Sequence, residues 1–594
     1  MIKTRSKTKS PSPCDKLARV RKTFKRVKMI TPRQLKNLAN DNTLQDWLER
    51  HHVDRDKYQQ RHVRDFQNQF KKHVIEMLKS KLGPGEMVEM TAAATDLPKS
   101  ADLGLEMSKL INGKETLEHM KNKVPVIVNA HLINRSEGLC DIADMLVRSD
   151  YICHMFPYAA VDPMPVSSGP SKYGNWHYVA VGFRFGKNEF CVDGAKLRNC
   201  PSVRFWKTKL YMQTRILNHY QQTTVNYALI VGHSYTWTMS KAVGGHTRSG
   251  NTYEKPAYVL FTDDFDRPAE VLFNTGKAWL QRLDEPQAAD WVVAPVPSVP
   301  ELYANGKLSI YDTPWAPVIH DYAVKQNDIT LLHHCTADAR RLAHSKGILN
   351  LKSATKSEDL GYKSSSSIGG QINRYLSGRW SRLSDLDLEE DENLGRDAIY
   401  LDFESVTNAS FSRGSTNLED WIYLVSITEP SGQTIQYGLT SLPINKDRTH
   451  DIINVERQLA SDLYKYLCAT NAKYIYCWSD AEARYLFKLE ERYPEFPLGT
   501  LFAFKLVDLL ENFVNLDVIL KGQTDNKLET VAIAAGLSVI KVPVNTNLLV
   551  EEIMWGDQPD KMRQSMLDQL LTYSRNDTHI LWELTNRIRQ SGAV

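Results

Sequence analysis

The stretch Ile399-Tyr400-Leu401-Asp402-Phe403-Glu404 sets two carboxylates two residues apart inside an apolar, β-prone run. Residues i and i+2 of a strand share a face, so both acids project from one side. Like charges that close repel unless a cation lies between them, and Mg²⁺ or Mn²⁺ takes hard oxygen ligands of this kind. The stretch therefore predicts a strand bearing half of a metal cradle.

Downstream, the pattern predicts strands over 421–427 and 434–437, a helix over 451–468, a strand over 474–478 and then mostly helix. Three strands able to pair as a meander, followed by helix and strand, describe a ribonuclease-H-like α/β layer with the carboxylate strand in its middle. In the last helix, predicted over 567–589, Tyr573 and Asp577 stand at i and i+4 on one face.

Upstream, the acidic run Asp385-Leu-Asp-Leu-Glu-Glu-Asp-Glu392 reads as a solvated linker. Before it, residues 241–395 form an irregular connector with small helical modules, a Pro-rich patch at 295–300 and a Ser run at 364–367. Residues 37–240 read as a mixed α/β domain: helices from Pro32 to about Leu82, strands over 124–128, 142–148, 176–185, 189–192 and 227–232, and a helix over 202–220. Residues 1–36 are a basic arm expected to be disordered, with 13 Lys/Arg against Asp15; its charge of +12 in a chain of net +4 leaves −8 for the rest. Such an arm fits attachment to nucleic acid, a localisation signal, an anionic surface, or a solvated tail.

A chain of 594 residues exceeds one hydrophobic core and suggests about three or four domains. Its apolar share of 42% and charged share of 24% argue against wholesale disorder. No run approaches the roughly 18 apolar residues of a membrane span, and the basic N-terminus lacks a signal peptide's apolar core, so the expectation is a soluble, non-secreted chain with no membrane partner. Eight cysteines form no CxxC pair, which argues for reduced thiols in an intracellular compartment. His333-His334-Cys335 offers metal ligands, but no second cluster follows at suitable spacing.

A strand D-x-E followed far downstream by a helical Y-x-x-x-D resembles the DEDD exonucleases, in the variant with tyrosine in the last motif. The segment Tyr474-Ile-Tyr-Cys-Trp-Ser-Asp-Ala-Glu-Ala-Arg484 is similar to that family's strand-then-helix segment, with Glu482 as third acid and Asp480 a close rival. Phe504-Lys-Leu-Val-Asp-Leu509 and Lys527-Leu-Glu-Thr-Val-Ala-Ile-Ala-Ala-Gly-Leu537 agree further, although the family often has Leu-Lys where this chain has Leu528-Glu529. The resemblance implies two ions, Mg²⁺ or Mn²⁺, held by Asp402, Glu404, Glu482 and Asp577, with Tyr573 orienting the attacking water. The implied reaction is hydrolysis of DNA, or of RNA, from a 3′ end.

The N-terminal domain resembles the PD-(D/E)XK nucleases, the restriction-endonuclease-like fold. Gly138-Leu-Cys-Asp-Ile-Ala-Asp-Met-Leu-Val-Arg-Ser-Asp-Tyr151 is similar to their first acidic motif, with Asp144 in the acid's place. The D-x-K that should follow reads Gly182-Phe183-Arg184 here. Glycine supplies no ligand and arginine cannot give up its proton, so the metal centre is expected to be lost. Glu189 or Asp193 is the displaced acid that could restore it. Lys209-Leu-Tyr-Met-Gln213 is similar to the glutamine-bearing helix, and Arg184, Lys207, Lys209 and Gln213 are candidate nucleic-acid contacts. Glu301-Leu-Tyr-Ala-Asn305, Asp328-Ile-Thr330 and Ala343-His-Ser-Lys-Gly-Ile348 resemble the segments joining two such domains in RecB-like, YprB-type nucleases of large DNA viruses. That kinship spans roughly 100–594 and implies the host cytoplasm or nucleus, or association with the virion.

Overall fold

The Val/Ile-rich runs of the N-terminal half pair into one seven-stranded sheet. The computed structural model describes residues 29–51, 66–91, 109–156, 170–192, 194, 197–198, 201–238, 247–250, 255–261, 268–308, 313, 315–386, 397–407, 420–442, 448–516, 518–523, 525–539, 546–555 and 559–592. Most of the basic arm, most of the acidic linker, and Asp193 lie outside the described residues. The chain is α/β and divides into two units, Met1–Asp54 with Gln67–Asp290, and Arg55–Phe66 with Trp291–Val594. Among the described residues no helix is long and apolar enough to cross a membrane.

In the first unit the strands β1 (Met87–Glu89), β2 (Val126–Asn134), β3 (Leu139–Arg148), β4 (Tyr178–Phe190), β5 (Tyr227–Thr238) and β6 (Thr247–Gly250) follow one another in space, and β7 (Ala257–Leu260) also pairs with β5. Strands β2, β3 and β4 form an antiparallel meander, whereas β4 and β5 run parallel. A parallel pair needs a crossover, which the helix Pro201–Gln221 supplies. Runs 176–185 and 189–192, read above as two strands, are one strand with an irregularity between Arg184 and Lys187. Among the described residues the N-terminal helical stretch contains the helices Pro32–Ala39, Thr43–His51 and Phe66–Lys79. Residues 241–290, set apart above as connector, belong to this unit. The helix Ala269–Leu283 approaches Pro32–Ala39 so closely that a Cβ at Gly276 would lie 2.8 Å from Leu35.

The second unit contains short helices over 300–385 with a small core around Ile329, Leu332, Cys335, Ala343 and Ile372. Beyond them lies a five-stranded sheet of β8 (Ala398–Thr407), β9 (Asp420–Thr428), β10 (Thr434–Gly438), β11 (Tyr474–Cys477) and β12 (Leu506–Asp508). The spatial order is β10-β9-β8-β11-β12, so the carboxylate strand is central. Strand β9 is antiparallel to both its neighbours, while β8, β11 and β12 are parallel.

Alternation along β8 sorts its side chains. Ile399, Leu401 and Phe403 pack with Leu459 and Leu463 of the helix α1 (Arg448–Ala469) and with Leu486 and Leu489 of α2 (Ala481–Arg492). Ala398 and Tyr400 face the other way, joining Leu581, Leu584 and Ile588 of the last helix, α3 (Asp560–Gly592). By the same period Asp402 and Glu404 turn toward α3.

Buried hydroxyls fix the register of α3 over the sheet. Ser426 Oγ meets Ser574 Oγ at 2.7 Å, Thr428 Oγ1 meets Thr578 Oγ1 at 2.9 Å, and Gln436 Nε2 donates to the Leu571 carbonyl at 3.0 Å. On the far side, Gly438 has φ +110°, and a Cβ there would stand 2.3 Å from the Tyr423 carbonyl oxygen. Gly438→Ala is expected to destabilise the protein by roughly 2–3 kcal/mol, through left-handed strain and a backbone clash, as read by urea denaturation.

Candidate metal centre

Oxygen atoms of Asp402, Glu404 and Asp577 lie within 4.8 Å of one another, the one such group of three or more ligating side chains found among the described residues. Asp402 and Glu404 come from adjacent outward positions of β8, and Asp577 from the helix laid across them. The fourth acid, Glu482, sits in the first turn of α2, just past the end of β11, and is buried. It stands outside the tight group, yet its charge acts on Asp402.

Burial raises all four carboxyls above the ordinary range, and neighbouring carboxylates add to it. Asp402 is raised most strongly, by burial and then by Glu404, Asp577 and Glu482. Glu404 is raised by burial and by Asp577, and Glu482 by burial, Asp508 and Asp480. Burial also raises Asp577, with Glu529 adding to the effect while the adjacent Tyr573 hydroxyl opposes it. Among the described residues no lysine or arginine pairs with any of the four. The donor set is hard oxygen, buried and short of positive charge, which fits a divalent cation.

Asp480 and Glu482, left as rivals by the sequence, occupy different environments. Asp480 is exposed at the start of α2, 3.3 Å from Arg484. Glu482 is turned inward and accepts from Ser479 Oγ at 3.2 Å. Two further acids adjoin the cluster, Asp508 and Glu529, the latter noted in the sequence only as a departure from the family's Leu-Lys. Asp508 lies opposite Cys477 in the β11–β12 ladder and caps the next helix by accepting from the Glu511 amide; Glu529 acts on Asp577. The segment 504–509 was noted for its likeness alone, and Asp508 was legible only as a helix cap.

The acid of the first unit is in the opposite state. Asp144 Oδ1 accepts from Lys71 Nζ at 3.0 Å, and Oδ2 from Lys209 Nζ at 3.1 Å and from the Phe183 amide at 3.3 Å. Burial alone would raise this carboxyl, but Lys209 and Lys71 hold it at about 2. A Cβ at Gly182 would lie 3.1 Å from the Trp206 ring, so the place of the second acid is filled by an indole. Two ammonium groups and a tryptophan leave nothing for a cation to do, and this site does not fit a metal.

Lys209 and Gln213, candidate nucleic-acid contacts in the sequence, are directed inward. Lys209 binds Asp144 and stacks on Trp206 at 4.6 Å, and Gln213 Nε2 donates to Asp141 Oδ2 at 2.5 Å. Arg184 donates to the Lys187 carbonyl at 2.7 Å, and Lys207 is half-buried on the same helix. Glu189 is exposed and 3.8 Å from Arg198. At His333-His334-Cys335 the imidazole rings are 3.8 Å apart and the thiol is buried, outside any three-ligand group among the described residues.

No family model, curated protein or solved structure matches this chain.

The two acid sites respond oppositely to mutation. Asp144 is depressed on folding, so its contribution is present above about pH 4 and is lost as pH falls toward 2. Asp144→Asn leaves Lys71 and Lys209 without their anion and is expected to cost about 3–5 kcal/mol at pH 7, read by denaturant unfolding. The four acids of the second unit are raised on folding. The metal-free protein should therefore lose stability as pH rises above about 4 through their raised folded values. Asp402→Asn removes repulsion and is expected to stabilise the EDTA-treated protein at pH 8 by on the order of 1–3 kcal/mol, visible as a higher Tm and a flatter pH profile.

Proposed function

We propose that this chain is a divalent-metal-dependent 3′-to-5′ exonuclease acting on DNA, with its catalytic centre at Asp402, Glu404, Glu482 and Asp577. The observation that carries the reading is the convergence of Asp402, Glu404 and Asp577 within 4.8 Å, with the buried Glu482 acting on Asp402 from the start of α2 and no basic partner among the described residues. The sheet supports it. Counted by sequence within the second unit, the strands lie in the order third, second, first, fourth, fifth, with only the second reversed, the arrangement of a ribonuclease-H-like layer.

Bound at this centre, a pair of Mg²⁺ or Mn²⁺ ions would supply an activated water and neutralise charge on the leaving oxygen. The chain's own residues account for the rest. Asp402, on which the charges of the other three acids act, would be a ligand of the ions. Glu404 from the strand and Asp577 from the helix would hold the ions with it, and Glu482 from the start of α2 would add a fourth carboxylate. Tyr573, one helical turn before Asp577 and with its hydroxyl against that carboxylate, would orient the attacking water. Burial keeps the Tyr573 hydroxyl protonated, so it acts as a hydrogen-bond donor.

The first unit is read as a restriction-endonuclease-like domain that no longer hydrolyses. Lys71 and Lys209 neutralise Asp144 there, and Trp206 fills the space beside Gly182.

The test follows 3′-labelled and 5′-labelled single-stranded DNA, with RNA in parallel, in Mn²⁺ and in EDTA. Wild type should release the 3′ label first, only with metal, and Asp402→Ala should lower the rate by at least about a hundredfold. Intact label in Mn²⁺, or equal loss in the variant, would replace this reading with that of a nucleic-acid-binding or virion structural protein reusing nuclease folds.

A further inference from the structure

Strand β9 contains one residue more than its partner can match. Glu404 of β8 lies opposite Leu424, but the next residue, Ser405, lies opposite Ile422, so Tyr423 has no ladder position of its own. This is a β-bulge, a device that bends a strand and re-aims a side chain.

The irregularity is held by specific groups. The Ile422 amide donates to Glu456 Oε1 at 2.8 Å. Glu456 is fully buried and is itself bound by Arg492 Nη1 at 2.5 Å and by the Tyr493 hydroxyl at 3.0 Å. The Tyr423 carbonyl accepts from the Leu439 amide at 2.7 Å, an approach that Gly438 permits because it has no Cβ. A buried carboxylate and a left-handed glycine thus maintain a departure from regular pairing at one residue.

That residue is aimed at the acid cluster. Tyr423 is fully buried, and its hydroxyl reaches no partner in full hydrogen-bond geometry. The charged and titratable groups acting on it are Glu404, Asp402 and Tyr573, and Thr546 also lies against it. That hydroxyl stands against the Glu404 carboxylate and Thr546.

We propose that Tyr423 is a positioning residue for Glu404: its hydroxyl donates to one carboxylate oxygen and directs the other into the acid cluster. The inference rests on reading that cluster as a metal centre. Such support is the relation found around metal sites, where an outer group fixes the rotamer of a ligating carboxylate. Because the bulge is anchored by Glu456, which also binds Arg492 at the end of α2, the same network ties the support of Glu404 to the helix carrying Glu482.

The experiment compares the full chain with Tyr423→Phe, Glu404→Gln and the double variant. Mn²⁺ affinity is read by electron paramagnetic resonance of free Mn²⁺, together with Tm in EDTA and kcat and KM on the labelled DNA. Phenylalanine keeps the ring and its packing, so Tyr423→Phe should match or exceed the wild-type Tm in EDTA. Its Mn²⁺ affinity or kcat should fall about tenfold with KM little changed, and it should add nothing further in the Glu404→Gln background. Wild-type Mn²⁺ binding that Tyr423→Phe leaves intact, with kcat also unchanged, overturns the positioning role alone. Absence of Mn²⁺ binding by the wild type overturns the metal reading, and Tyr423's role with it.

Discussion

Three carboxylates held together, with a fourth acting on them and no counter-charge among the described residues, are the constraint on which the second unit turns. Each would be better solvated apart, and each raises the cost of ionising the next. A fold that holds them must be overdetermined elsewhere. Here the means are visible: apolar clusters on both faces of the sheet, with Ile399, Leu401 and Phe403 on one side and Tyr400 with Leu581 and Leu584 on the other. The hydroxyl pairs Ser426–Ser574 and Thr428–Thr578 add direction. Apolar packing alone would let the last helix slide; these buried bonds do not, and a slide of one turn would carry Asp577 away from Asp402.

The first unit meets a comparable problem in the other way. Asp144 is buried, but Lys71 and Lys209 neutralise it, and Trp206 packs beside Gly182. One arrangement is stabilised by what is present, while the other is left short of positive charge. That difference, more than the motifs themselves, separates a structural acid from one suited to a cation, since both are buried aspartates on central strands.

Much of this was legible in the chain and some was not. The strand at 398–407 and the face shared by Asp402 and Glu404 follow from a period of two, and the Tyr573–Asp577 pairing from a period near four. The choice between Asp480 and Glu482 was not legible. Both sit at a strand-to-helix turn, and only the direction in which the helix sets off sends one to solvent and the other inward. Lys71 was invisible for another reason: it lies 73 residues from Asp144, on an amphipathic helix where a lysine reads as surface. The first unit's reach to Asp290 depends on the fit of Gly276 against Leu35, which no local pattern announces.

Tyr423 shows why such residues escape sequence reading. In Trp421-Ile422-Tyr423-Leu424-Val425 it is one apolar residue among five, and alternation alone gives it an ordinary place on a strand. The bulge breaks that alternation, and what sustains the bulge is remote in sequence: Glu456 on α1, Gly438 at the end of β10 and Arg492 at the end of α2. A regular ladder would have satisfied the Ile422 amide with a carbonyl and spared the burial of a carboxylate. Retaining the costlier arrangement makes sense only if the geometry it imposes on Glu404 serves the acid cluster. The bulge and the repulsion among the acids are thus two parts of one arrangement, borne by the same sheet.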